Sequence, residues 1–282
     1  MKVFKFENYI QFFISTTVKI TLYLFFKNMI ILLSPAKIQN FKPQQVTDLY
    51  SMPHFMKEAK QLVQLMRQLQ PGELSKLLDI NHKLTELNYD RYFNWHVPFT
   101  PANAKQAALV FDGEVFRGLN AQTFTESDFE FAQNHLLILS GLYGVLRPLD
   151  LIQGYRLEVS SALKNDNGRD LYAFWQPRIT KFVLNALKNT QPQVILNLAS
   201  SEYFKSLNFA NKKVKVIEFE FLEYKNDTLK PIVIYTKKAR GLMARYLIKN
   251  KIENIEDIKG FADGGYWFNP QLSTESKLVF VR

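Results

Sequence analysis

Three short apolar runs constrain the fold of this chain more than any other feature in it. Ile30–Leu33, Leu136–Ser140 and Val194–Leu198 lack the polar alternation of a half-exposed strand and are too short for an ordinary helix. Each reads as a buried strand. Each also runs into small, hydroxyl or turn-forming residues. Ser34-Pro35-Ala36-Lys37 follows the first, Gly141 and Gly144 the second, and Ser200-Ser201 the third.

Helical patterns separate these runs. From Pro53 to Leu69, residues Phe55, Ala59, Leu62, Met66 and Leu69 form one apolar stripe, which Pro71-Gly72 breaks. Two shorter helical patterns follow, around Glu73–Asp79 and Asn81–Asn94. Together they make a helical hairpin region with Lys57, Lys60, Arg67, Lys76, Lys83 and Arg91 on its polar faces. Ala107–Phe111 is apolar and precedes the turn signal Asp112-Gly113. Thr125 and Asp128 have the spacing of a capping box for a helix over Glu126–Asn134. A longer helix is expected from Asp170 to Lys188, with Pro177 as a break or restart. Val214–Tyr224 and Leu229–Tyr235 flank Lys225-Asn226-Asp227 and read as an antiparallel hairpin. A last helix over Lys237–Lys251 and a closing strand over Lys277–Val281 complete the pattern. The class is therefore α/β: a single compact domain with a mixed sheet and flanking helices.

Residues 1–28 stand apart. They hold eight aromatics, against 32 in the remaining 254 residues, and three of the ten net positive charges. Tyr9–Phe26 is the one stretch resembling a membrane segment, but polar residues and Lys19 interrupt it, and its longest apolar run is Leu22–Phe26. A spanning helix needs about 20 mostly apolar residues. The expectation is that Met29 is the natural start, that 1–28 is an extension outside the fold, and that 29–282 is the domain. A membrane or surface anchor and a loosely packed extension are the alternatives. The chain has no cysteine, which excludes a disulfide scaffold, a thiol nucleophile and a Cys-ligated cluster.

Four segments carry candidate chemistry. The helix Lys237–Lys251 holds Lys237, Lys238, Arg240, Arg245, Lys249 and Lys251 and no acid. Opposite the stripe Ala239, Leu242, Met243, Tyr246 and Leu247, these cations would form a phosphate-binding face; the bland alternative is a solvated basic face. The segment Asn197–Lys205 runs from a buried strand into a short helix whose start, with Ser200 or Ser201, suits an anion or is simply a serine cap. Ser140–Pro148 is a glycine turn with Arg147, and Arg156 follows nine residues later. Ser34–Lys37 follows the first strand. Ligands of open α/β sheets sit at the carboxyl ends of strands. One cleft lined by Ser34, Lys37, Arg147, Arg156, Ser200 and Lys205 is therefore expected, provided the strands are parallel neighbours. His54, His82, His96 and His135 form no metal-binding pair, so no metal or other cofactor is expected.

The segments Ile31–Lys37, Phe99–Ala104, Leu139–Asp150, Tyr155–Glu158, Asn197–Lys205 and Lys237–Met243, in that order, resemble the YaaA family of bacterial peroxide-stress proteins. The resemblance spans essentially 29–282. It implies a cytoplasmic protein that helps cells survive hydrogen peroxide, tied to lowering intracellular free iron. It also implies a positively charged cleft and a helix-hairpin-helix-like element that binds duplex DNA, here placed on Pro53–Asn94. It supplies no catalytic residue. Two readings follow. The first is a DNA-binding protein that grips phosphates with Lys237, Lys238, Arg240, Arg245 and Lys249. The second is an enzyme acting on a nucleotide or nucleic-acid base in the strand-end cleft. The expected partners are duplex DNA or a small phosphorylated ligand, with no obligate membrane partner.

Overall fold

The computed structural model describes residues 29–282 apart from 44–45, 167, 189–191, 211 and 227. The expectations for 1–28 lie outside the described residues. The chain opens with β1 (Met29–Leu33), followed by three helices, α1 (Met56–Gln68), α2 (Pro71–Leu78) and α3 (His82–Asn94). Pro71 sits at the first turn of α2, where its missing N–H costs nothing, and Gln70 and Glu73 form a capping box there. Then come β2 (Lys105–Gln106), α4 (Ala107–Val110), α5 (Glu114–Leu119) and α6 (Glu126–His135). The Thr125/Asp128 capping box is formed. The chain continues through β3 (Leu136–Ser140), β4 (Gly144–Leu146), β5 (Leu151–Ile152), α7 (Leu171–Ala186), β6 (Val194–Asn197) and α8 (Ser201–Phe204). It ends with β7 (Lys215–Lys225), β8 (Thr228–Lys230), α9 (Val233–Lys249), α10 (Ile255–Ile258), β9 (Trp267–Phe268) and β10 (Lys277–Val281).

The main sheet has the order β4-β3-β1-β6-β7-β10-β9, with β8 paired to β7. The five inner strands, β3 to β10, are parallel, and antiparallel β4 and β9 close its two ends. Every residue of β1, β3 and β6 is buried, as strands covered on both faces require. α9 packs on β7 and β1, and α6 on β1 and β3. The result is a mixed α/β body with one main apolar core.

The structure departs from the sequence reading at two elements and gives form to two others. Pro177 lies inside α7, which runs through it unbroken. Burial of Phe174, Trp175, Ile179 and Val183 holds the helix against the sheet and outweighs the lost backbone bond. The strand expected over Leu229–Tyr235 stops at Lys230, because Pro231 has no N–H for the ladder, and α9 begins at Val233. The apolar stretch at Ala107 is a short helix. The glycine turn after β3 is a tight hairpin into β4, with Gly144 at φ 68°.

Candidate functional site

β1 leaves the sheet's middle toward β3 on one side, and β6 continues it on the other. The carboxyl ends of β1 and β6 are therefore the topological switch point, where an open α/β sheet leaves a crevice. Two hydroxyls close the strand ends there. Ser34 Oγ accepts the Ser200 N–H at 2.8 Å and lies 3.2 Å from Ser200 Oγ. Ser200 also caps α8 by accepting the Tyr203 N–H. Next to it, Asn197 Oδ1 accepts the Ala199 N–H, and its amide nitrogen donates to the Glu218 carboxylate on β7 at 2.8 and 3.0 Å.

A cavity of about 340 Å³ opens at this point. Its walls come from residues 34–39, 112–115, 155–158, the start of α8, and Lys237 and Arg240 of α9. Three glycines set the wall positions. A Cβ on Gly241 would overlap the Val115 carbonyl, and one on Gly118 the Lys238 carbonyl. α5 and α9 thus cross backbone to backbone and hold residues 112–115 opposite Lys237 and Arg240. A Cβ on Gly141 would overlap the Leu157 carbonyl, so this glycine seats the Tyr155–Glu158 wall against the end of β3. The close backbone approach that this glycine permits is a packing contact that shapes the pocket from behind.

The charges on the walls are mostly paired. Glu158 Oε1 takes Lys37 Nζ at 3.3 Å and Arg156 Nε at 3.2 Å. Asp112 and Glu114 are both held by Arg117. Glu202 accepts the Ser160 hydroxyl at 2.7 Å. Arg156 Nε, Glu158 Oε1 and Arg240 Nε are all buried without a hydrogen bond, but Arg240 differs in having no carboxylate at ion-pair distance among the described residues. Burial pulls its pKa below the ordinary value, and Glu218 acts in the opposite sense. Tyr155 and Tyr203 also line the pocket, and burial pushes both phenols well above their usual range.

The structure brings together Ser34, Lys37, Arg156 and Ser200 of the expected cleft, and adds Lys237 and Arg240 from the basic helix. It does not bring Arg147 or Lys205 there. The hairpin reversal between β3 and β4 carries Arg147 back toward the other end of the sheet, beside Asp150, whose Oδ2 accepts the Arg147 N–H. Lys205 is exposed at the far end of α8. Three other cations of the basic segment are engaged elsewhere. Arg245 Nη1 donates to the Asn120 carbonyl at 3.1 Å and Thr123 Oγ1 at 2.7 Å. Lys249 and Lys251 each reach a carboxylate oxygen of Asp128 on α6 at 2.7 Å. Lys238 is exposed. The face is therefore largely a seam between α9 and its neighbours. Sequence reading missed the wall residues Gln39, Glu114, Tyr155 and Tyr203. Single wall residues drawn from separate loops leave no local motif, although their segments Asp112-Gly113, Tyr155–Glu158 and Asn197–Lys205 each stood out on other grounds.

Among the described residues no helix is long and apolar enough to cross a membrane, and no three His, Asp or Glu side chains group as a metal site. A family model described as peroxide stress protein YaaA matches residues 29–272.

Proposed function

This chain belongs to the peroxide stress protein YaaA family, and we propose that it works through the pocket at the β1–β6 switch point, as an enzyme or binding protein for a nucleotide or nucleic-acid base. One observation carries this reading. Ser34, Lys37, Arg156, Ser200, Lys237 and Arg240 come from four separate segments and line one cavity. Concave sites with a few convergent polar groups on an apolar wall are where small ligands bind. Their hydroxyl, ammonium and guanidinium donors suit a phosphorylated or carbonyl-bearing ligand.

Duplex binding, the other reading, has less to rest on. Of its five candidate cations, Arg245 and Lys249 tie α9 to α5 and α6, and Arg240 lines the pocket. What remains exposed is Lys237 and Lys238 on α9, with Lys57, Lys60, Lys76 and Lys83 on α1–α3. Those four lysines are interleaved with exposed Glu73, Asp79, Glu86 and Asp90. A helix-hairpin-helix role for α1–α3 would need its cations to outweigh these acids.

The test fills the cavity. Ala36 lines it and is half-buried. Cells carrying Ala36→Phe at wild-type abundance should lose peroxide survival and show raised free iron, while the purified variant keeps whatever duplex affinity the wild type has. Full survival with a filled pocket would reject this reading in favour of the duplex one.

A further inference from the structure

The next question, which rests on the pocket reading above, is what the pocket holds. Its charges sort into two sets. Lys37 and Arg156 share Glu158, Asp112 and Glu114 share Arg117, and Glu202 takes a serine hydroxyl. Lys237 and Arg240 stand one turn apart on α9, both face the cavity, and neither has a carboxylate at ion-pair distance among the described residues.

Arg240 is the more telling of the two. A guanidinium is planar, always charged and built for two parallel bonds to an oxyanion. Here its Nε is out of solvent with its donor idle. A buried donor without a partner costs free energy that a bound acceptor would return. Glu218 lies near enough to favour the charged form, but it is already committed to Asn197. The site thus holds a positive charge in place and leaves its bonding directions unused. The rest of the wall is unlike a bare anion site. Leu157, Leu198, Val115, Tyr155 and Tyr203 line it with apolar and aromatic surface, and Ser34 and Ser200 add hydroxyls. A cavity of about 340 Å³ takes a ligand of drug or mononucleotide size, not a double helix.

We propose that the pocket takes a phosphomonoester and at most the one nucleotide that carries it, the phosphate held by Arg240 and Lys237 and that nucleotide's organic part lying on the Leu157–Leu198–Tyr203 wall. Two sources supply that chemistry: a free nucleotide, or the phosphorylated end of a single strand.

Isothermal titration of the full chain at low salt tests the proposal with four ligands: 5′-AMP, adenosine, inorganic phosphate and a 5′-phosphorylated tetranucleotide. AMP should bind at least tenfold tighter than adenosine, with inorganic phosphate weaker than AMP. Arg240→Gln should erase the AMP preference, Arg240→Lys should restore part of it, and Lys237→Gln should weaken AMP three- to tenfold. Lys230→Gln, on exposed β8, should change nothing. Where Arg240→Gln fails to fold by circular dichroism, Lys237→Gln and Arg240→Lys carry the test. The proposal is overturned if adenosine matches AMP, if the folded charge variants keep the wild-type preference, or if none of the four ligands binds. Tetranucleotide binding as tight as AMP assigns the strand end as source; its failure assigns the free nucleotide. The pocket reading stands or falls separately, on the peroxide survival of Ala36→Phe.

Discussion

Asp128 and Asp150 are both buried carboxylates, and their surroundings push them in opposite directions. Burial alone would raise Asp128, but the ammonium groups of Lys249 and Lys251 and two bonds with Thr125 outweigh it and hold the carboxyl well below its usual range. Its contribution to stability is present above the unfolded pKa of about 3.9 and is lost as pH falls toward the depressed native value. Asp128→Asn should destabilise the protein by about 3 kcal/mol at neutral pH, because it leaves two lysine ammonium groups facing a neutral amide whose nitrogen accepts from neither. Urea unfolding at pH 7 and pH 3 checks this: the gap between wild type and variant should narrow at the lower pH. Asp150 runs the other way. Burial raises it to about 6, against Arg147 and the Ser51 hydroxyl. A raised native pKa adds stability that is complete below about pH 4 and fades as pH climbs through 6. Between pH 4 and 6.5 the wild type should therefore lose urea stability relative to Asp150→Asn. Parallel curves would show that Asp150 is not the group responsible.

The crossing of α5 and α9 is the element on which the pocket depends. Gly118 and Gly241 let the two backbones touch, and no side chain fits at either position. Gly241→Ala should lower the melting temperature by several degrees, an overpacking cost of about 1–3 kcal/mol or more. It should also weaken AMP binding, because it pushes residues 112–115 away from Arg240. Gly72→Ala is the matched control. It lies in the first turn of α2 with open space around it, so it should be neutral or stabilise slightly. Equal effects of the two substitutions would remove the crossing from the account. Elements were also where sequence reading was strongest. β3 and β10 match their expected bounds, and β1 and β6 differ by one residue, because unbroken apolar runs leave little choice of structure. Its errors came from tertiary context. Pro177 reads as a breaker only when the packing of Trp175 and Ile179 is invisible. α9 reads as an uncompensated basic face only when Asp128, more than a hundred residues away in sequence, is out of view.

For the whole molecule, the placement of charge matters more than its sum. The net charge of the chain is +10, yet Arg245, Lys249 and Lys251 are committed inside the fold. Any duplex affinity should then show a shallow salt dependence, with a slope of magnitude below about 3 in a log–log plot. A steep slope would mean that cations now counted as structural reach phosphate. The location of the cavity was legible for a general reason: strand ends at the middle of an α/β sheet leave a crevice. That rule found Ser34, Lys37, Arg156 and Ser200. It did not exclude Arg147, because only the β3–β4 reversal shows that this arginine turns away, and it could not see Arg240 crossing from α9.

The most direct test of the central claim watches Arg240 itself. In a ¹⁵N-labelled sample, the Arg240 Nε–H resonance, assigned by its loss in Arg240→Lys, is followed as 5′-AMP is added. The account predicts a saturable shift of this resonance, with the affinity found by calorimetry, and no shift when the same titration is run on Ala36→Phe. A resonance that stays fixed while AMP binds, or one that moves equally in the filled-pocket variant, would contradict it.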